Sequence, residues 1–451
     1  MGRFPASFMW GTSTSAYQIE GAFDEDGKGP SIWDEFVRRR GTIVDGSTGD
    51  VACDHYHRWA QDVRLLAELG VDAYRFSVSW PRVIPDGRGP TNPAGLGFYD
   101  RLVDALLDVG VEPMVTLYHW DLPLTLEERG GWPSRDTAEC FARYASVMAA
   151  ALGDRVHRWV TINEPWVVAE RGYVYGDKAP GRRNDGRAAL AAAHHLLLGH
   201  GLATEAIVAE RPGAQVGITL NLSPVVAASR HPLDVDAARR LDGDLNRWYL
   251  DPLYGRGYPD DVIADHRADR WLEADGLEAF VGPHDMETIA TPTGFLGVNY
   301  YERTIARDPA TPVPPEVVAD DAARTAMGWE AYPEGLRVLL HRLWDDYGPS
   351  SIVVTENGAS FPDGPGSDGR IHDERRSRFI DEHIDAVGAA VGEGVPVDGY
   401  FVWSLLDNFE WALGYTQRFG LVWVDFATLE RIPKGSYFRY RDRIAAERRA
   451  R

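Results

Sequence analysis

Short runs of consecutive apolar residues alternate along this chain with longer stretches whose apolar positions recur every three or four residues. The runs read as strands over Phe8–Thr12, Val71–Ser79, Pro113–His119, His157–Asn163, Gln215–Asn221, Gly294–Tyr300, Ser351–Glu356 and Gly399–Leu405. Several, such as Ser351-Ile-Val-Val-Thr355, are apolar at successive positions, the pattern of a strand covered on both faces. The clearest helix lies over Pro333–Tyr347, where Leu336, Leu339, Leu340, Leu343, Trp344 and Tyr347 make one stripe. Strands interleaved with helices predict parallel pairing through right-handed crossovers.

A closed barrel and an open doubly wound sheet both satisfy that order. The open sheet usually carries a Gly-rich phosphate loop after its first strand. Here the first strand runs into Gly11-Thr-Ser-Thr-Ser-Ala-Tyr-Gln-Ile-Glu20, which has no such spacing. Polar residues stand instead at the C-terminal ends of most strands: Gln18, Arg75, His119, Asn163, Glu164, Asn299 and Glu356, with Trp403 at the last. That is where a (β/α)8 barrel keeps its active site, so the expected fold class is α/β, a single (β/α)8 TIM barrel. With no repeat, low-complexity tract or linker in sight, residues 1–451 are expected to form one domain.

Composition narrows the partners more than the fold. Hydrophobic residues make up 44% of the chain and charged residues 25%, enough apolar material for a large core. A net charge of −21 opposes binding to nucleic acid or anionic membranes and is indifferent to a neutral ligand. Cys53 and Cys140 lack metal-ligand spacing, and no nucleotide loop is present, so neither a metal nor a cofactor is expected. No apolar run reaches membrane-spanning length, and the start shows no secretory pattern; a reduced, cytoplasmic location is the expectation. The sequence gives no indication of oligomeric state.

Two carboxylates carry the candidate chemistry. Glu164 follows Trp159-Val-Thr-Ile-Asn163 and precedes Pro165; Glu356 follows Ile352-Val-Val-Thr355 and precedes Asn357-Gly358, which reads as a breaker. Alone, a Glu at a strand end is more often a helix-start or ion-pair residue. Two at the mouth of one barrel, ending strands 4 and 7, match the pair that retaining glycosidases use, one carboxyl protonating the leaving oxygen and the other attacking the anomeric carbon.

Thr161-Ile-Asn-Glu-Pro165 and Val354-Thr-Glu-Asn-Gly358 resemble the two catalytic signatures of glycoside hydrolase family 1. Phe8-Met-Trp-Gly-Thr-Ser-Thr-Ser-Ala-Tyr-Gln-Ile-Glu-Gly21 resembles its opening signature. Tyr74-Arg-Phe-Ser-Val-Ser-Trp80, Leu117-Tyr-His-Trp120, Val298-Asn-Tyr-Tyr301 and Leu406-Asp-Asn-Phe-Glu-Trp411 extend the likeness in order along the chain. The resemblance implies a retaining β-glycosidase, in the first place a β-glucosidase, acting on a small glycoside. β-Galactosidase, β-fucosidase or transglycosidase activity would use the same residues. It makes Glu164 the acid/base and Glu356 the nucleophile, with Arg75 and Tyr301 contacting the nucleophile. Gln18, His119, Asn163, Asn299, Glu410 and Trp411 would hold the non-reducing sugar, Trp403 would stack beneath its ring, and Trp329 would line the aglycone side.

The same resemblance implies exclusions. A phospho-glycosidase of this family replaces the Glu410-Trp411 region with a Ser, Lys and Tyr set, and a carboxylate there would repel a phosphate. A thioglucosidase carries Gln where Glu164 stands, and a non-catalytic barrel would have lost one Glu. Departures fall after the acid/base, in Trp166-Val-Val-Ala-Glu-Arg-Gly-Tyr-Val-Tyr-Gly-Asp-Lys178-Ala-Pro-Gly181. Glu170 and Arg171 put charge where apolar residues are frequent, and Lys178 stands in for a His. This segment is expected to bear on aglycone preference, unless Glu170 and Arg171 make a surface or inter-helix ion pair.

Overall fold

The computed structural model describes residues 3–273 and 275–450. Eight parallel strands close into a barrel: β1 Met9–Ser13, β2 Ala73–Ser77, β3 Glu112–Tyr118, β4 Arg158–Asn163, β5 Gln215–Asn221, β6 Phe295–Asn299, β7 Ile352–Asn357 and β8 Val397–Trp403. Each pairs with its neighbours in sequence, and β8 pairs with β1. Long helices follow the strands, among them Pro93–Asp108, Arg135–Leu152, Gly186–Glu210, Pro333–Tyr347, Glu374–Gly392 and Gly435–Ala450. The expected strands coincide with these to within about two residues at each end, the usual margin of boundary assignment.

The two-sided burial read from the apolar runs has a direct structural basis. On β7, Ile352 and Val354 join the large cluster between barrel and helices, whereas Val353 belongs to a separate cluster inside the barrel. That inner cluster is Met9, Ala73, Met114, Val160, Phe295, Val353 and Phe401, each from a different strand. Its two phenylalanine rings need glycine neighbours: a Cβ on Gly11 would lie 2.3 Å from the Phe401 ring, and one on Gly217 2.7 Å from the Phe295 ring. The inner cluster plugs the barrel, and the cavity opens beyond it at the C-terminal ends of the strands.

The helix Pro333–Tyr347 has the expected bounds, with Pro333 in its first turn and Gly348 closing it at φ 61°. Leu336, Leu339, Leu340 and Leu343 are buried as the stripe predicts. Trp344 is not: it is 37% exposed, because the stripe packs on a narrower arc than six residues require. Cys53 and Cys140 are buried free thiols. Among the described residues no helix is long and apolar enough to cross a membrane.

Candidate active site

The two strands that carry the candidate carboxyls are irregular where it matters. Val160 faces Gly217 but Asn163 faces Thr219, so three steps along β4 span two along β5. On β7, Val354 faces Val298 and Glu356 faces Asn299, two steps against one. Each strand therefore holds one extra residue near its end, a bulge that re-aims the side chains beyond it. Glu164 then adopts φ 52°, in the left-handed region, a conformation costing on the order of 1 kcal/mol or more for a non-glycine residue. Its amide is held by the Thr219 carbonyl at 2.9 Å.

The Asn357-Gly358 pair ends the strand, one residue later than the sequence suggests. Asn357 is still part of β7; its amide donates to the Tyr300 carbonyl and accepts from the Tyr400 hydroxyl, both at 2.7 Å. Gly358 is required for close approach, since a Cβ there would lie 1.9 Å from the Trp403 carbonyl oxygen.

Glu356 is gripped by donors. Arg75 Nη1 donates to its Oε1 at 2.5 Å and the Tyr301 hydroxyl to its Oε2 at 2.7 Å. Arg75 is wholly buried, and its Nη2 reaches Asn163 Oδ1 at 2.6 Å. Burial, and then the carboxylates of Glu356 and Glu164, push the Tyr301 phenol well above its ordinary pKa, so it stays a donor.

Glu164 sits in the opposite environment. Burial foremost, then repulsion from Glu356, pushes its carboxyl up to about 8, against the opposing effects of Asn299, Arg75 and Lys178. Asn299 Nδ2 donates to Glu164 Oε1 at 2.6 Å and to Asn163 Oδ1 at 3.1 Å. Asn299 is oriented in turn by the Thr355 hydroxyl, which donates to its Oδ1 at 2.8 Å. Arg75, Asn163 and Asn299 thus tie the two carboxyls into one buried network. Within that network Glu164 is the carboxyl poised to hold a proton.

Beside them lies a polar and aromatic wall. Gln18 accepts from the Ser15 hydroxyl at 2.7 Å and donates to Asn408 Oδ1 at 3.0 Å, to the Phe409 carbonyl at 3.0 Å and to Glu410 Oε2 at 3.4 Å. Burial pushes Glu410 up to about 7, with Lys178 opposing and Glu356 adding to the shift. Burial, with Arg75 nearby, holds His119 well below its ordinary pKa, so its ring is neutral. Nε2 of His119 lies 3.2 Å from Asn163 Nδ2, which makes it the acceptor and puts the ring proton on Nδ1, buried without a partner among the described residues. The His119 ring stacks at 5.8 Å on Trp403 and at 6.0 Å on Trp411. Trp411 is packed against Trp33 and Trp120, and Trp329, half-buried, lies 5.1 Å from Tyr301 and 6.0 Å from Phe419.

The residues expected to act in catalysis or sugar binding are drawn together around the C-terminal ends of the strands. Thr355, Asn408 and Trp120 have no role assigned from the sequence, although they hold those residues, and Lys178, noted there only as a departure after the acid/base, acts electrostatically on Glu164 and Glu410. Among the described residues Glu170 and Arg171 do not pair with each other, and only Arg171 makes an ion pair. Val167–Tyr175 is a π-helix, in which the wider turn separates neighbouring side chains differently from an α-helix. Arg171 pairs with Asp177, its Nε 2.8 Å from Oδ1, and lies over the Tyr175 ring, while Glu170 is buried. Burial and the Asp244 carboxylate push Glu170 well above the ordinary carboxyl range.

A closed parallel barrel with a carboxyl gripped by Arg75 and Tyr301 ending β7, a proton-holding carboxyl beyond β4 and a polar and aromatic wall beside them defines a retaining-type glycosidase site. The model of glycosyl hydrolase family 1 matches residues 1–449. The chain belongs to that family and is a glycosidase, a hydrolase. It is 44% identical to beta-glucosidase A of Acetivibrio thermocellus over 445 residues, 98% of each chain. It is 49% identical to thermostable beta-glucosidase B of Thermobispora bispora over 444 residues, 97% of this chain and 90% of that one. Among solved structures it resembles the Thermotoga maritima beta-glucosidase in complex with glucoimidazole, with a TM-score of 0.92 and 43% identity over 98% of this chain and 99% of that one.

Proposed function

We propose that this chain, as one barrel domain over residues 1–451, is a retaining β-glucosidase releasing terminal non-reducing β-D-glucosyl residues by double displacement. The observation that carries the reading is the contrast between the two carboxyls: Glu356 held by Arg75 and Tyr301, Glu164 pushed up to about 8. The names of the relatives supply the glucosyl preference.

In the first step Glu356 attacks the anomeric carbon while Glu164 gives its proton to the leaving oxygen. Its pKa keeps Glu164 protonated at neutral pH, and the charge of Glu356 helps to keep it so. Once Glu356 is esterified by the sugar its charge disappears, the repulsion on Glu164 is relieved and its pKa falls. Glu164 then takes a proton from the water that resolves the intermediate. Asn163, Gln18, His119 and Glu410 bond the sugar hydroxyls, and Trp403 underlies the ring. Trp329 bounds the aglycone side.

The test is a panel of nitrophenyl glycosides with the first-formed sugar followed by proton NMR. The proposal expects β-glucoside to be the best substrate and β-glucose to appear before mutarotation. α-Glucose as the first product would overturn retention, and a glycone other than glucose preferred by tenfold or more would overturn the glucosidase assignment.

A further inference from the structure

We propose that Arg303 and Glu330 are positioning residues for the leaving-group side of the cavity: their ion pair pins the turn that carries Trp329 and sets the aim of its indole. This role rests on the β-glucosidase reading for the substrates that reveal it, although the pairing itself does not.

Trp329 sits on a short hairpin. The Thr325 amide donates to the Trp329 carbonyl at 2.9 Å, the Ala331 amide donates to the Ala323 carbonyl at 3.1 Å, and Arg324 and Glu330 form an antiparallel bridge between them. Successive side chains of such an extended segment point to opposite sides, so whatever fixes Glu330 also fixes the direction of Trp329. One side holds the indole, half-buried, 5.1 Å from Tyr301 and 6.0 Å from Phe419. The other holds Glu330, whose side chain is buried.

Arg303 fixes Glu330 at two points. Its Nε donates to Oε2 at 2.7 Å and its Nη2 to Oε1 at 3.0 Å, the paired geometry that a guanidinium and a carboxylate favour. The Asp320 amide adds a third bond, to Oε1 at 2.9 Å. Burial opposes ionisation, but the Arg303 bonds and then the Asp320 amide outweigh it and hold the Glu330 carboxyl below its ordinary range. The guanidinium also lies 4.0 Å from the centre of the Tyr332 ring, and the Tyr332 carbonyl accepts from the Tyr300 hydroxyl at 2.6 Å. Arg303 thus grips the chain on both sides of Ala331, and it stands two residues beyond the Tyr301 that holds Glu356. The segment after β6 therefore supplies both a donor to the nucleophile and the anchor of the wall beside the departing group. Losing the ion pair releases that wall without removing any contact of Glu164, Glu356 or Glu410.

The experiment measures kcat/KM for cellobiose and for methyl β-D-glucoside in the wild type, Arg303→Met and Glu330→Gln, each with and without Trp329→Ala. Both substrates lose an alkyl oxygen that needs a proton, but only the second glucose of cellobiose is large enough to lie along the indole. A misplaced positioning group costs up to about 100-fold, so Arg303→Met should lower the cellobiose value about tenfold and the methyl glucoside value by less than about twofold. Glu330→Gln still accepts from the Asp320 amide and should change the ratio in the same direction by a smaller factor. With Trp329→Ala present, neither substitution should change the ratio, because no indole is left to aim. An unchanged ratio in both variants, or an equal fall with and without Trp329, overturns the proposal. Hydrogen exchange decides the pinning without activity: amides of residues 320–331 should exchange faster in Arg303→Met than in the wild type, with the barrel strands unchanged. Equal exchange in that segment overturns the pinning. If the strands of Arg303→Met also exchange faster, the milder Glu330→Gln is read by the same criteria in its place. A wild type inactive on β-glucosides would defeat the glucosidase reading alone, with the exchange still deciding this one.

Discussion

Replacing Glu164 by Gln should stabilise the protein, and only above acid pH. In the fold the Glu164 carboxyl is pushed up to about 8 from a reference of 4.5, chiefly by burial. Below the reference value both folded and unfolded states hold the proton and nothing is lost. As pH rises from there towards 8 the unfolded chain releases the proton and the folded one keeps it, so stability falls. Above 8 the folded state bears the buried charge and the loss is complete. At about 1.36 kcal/mol per unit, the full loss is on the order of 3–5 kcal/mol. Glutamine is neutral at every pH and its amide oxygen can still accept from Asn299 Nδ2, which now lies 2.6 Å from Glu164 Oε1. A protein of 451 residues unfolds with an entropy of about 1 kcal/mol per kelvin, so the gain corresponds to about 3–5 °C in Tm. Calorimetry at one scan rate, on both proteins from pH 4 to 9, measures it. The Tm difference should be near zero at pH 4, grow through neutrality and level off near pH 9. A difference independent of pH, or a less stable variant at pH 9, would refute the assignment of a raised carboxyl to this position.

Three further outcomes follow from the same geometry. Glu164→Ala should slow substrates with poor leaving groups far more than activated aryl glucosides, and azide should then give the β-glucosyl azide; an equal loss across leaving groups would count against proton donation. Asn299→Ala should cost about 10–100-fold in kcat/KM through misorientation of Glu164 and Asn163. Because the Asn299 bond lowers the pKa of Glu164, its loss should also move the alkaline limb upward, and a downward shift would contradict the network. Arg171→Leu should change the ratio of kcat/KM between an aryl glucoside and a disaccharide by less than about threefold, or about 0.7 kcal/mol, because that guanidinium is occupied by Asp177. A larger change would restore Arg171 to the aglycone site.

The barrel was legible because its strands are covered on both faces, which writes them as unbroken apolar runs such as Ile352-Val-Val. The carboxyl pair was legible because each closes such a run. Their aim was not. It depends on an extra residue in β4 and in β7, and a bulge leaves no mark in a run that is apolar throughout. Nor does the left-handed backbone at Glu164 show, since the following Pro165 normally favours an extended predecessor. Thr355 was hidden for a related reason: strict alternation gives one polar residue per turn of the pleat, whereas the bulge brings Thr355 and Glu356 both to the cavity side. Trp344 shows the opposite failure. A six-residue stripe wraps further round a helix than its neighbours can cover, so its margin is exposed. After Glu164, the charges at Glu170 and Arg171 stand out in the sequence, but nothing there shows which partners they meet. The chain forms a π-helix there, and each charge finds another partner or environment.

The central claim is that Glu356 attacks the sugar, and a trapped intermediate tests it most directly. A 2-deoxy-2-fluoro-β-glucoside with a good leaving group should inactivate the enzyme with one label per chain, and peptide mass spectrometry should place that label on Glu356, held as it is by Arg75 and Tyr301. A label on another residue, or a Glu356→Gly variant that keeps full activity, would contradict the account.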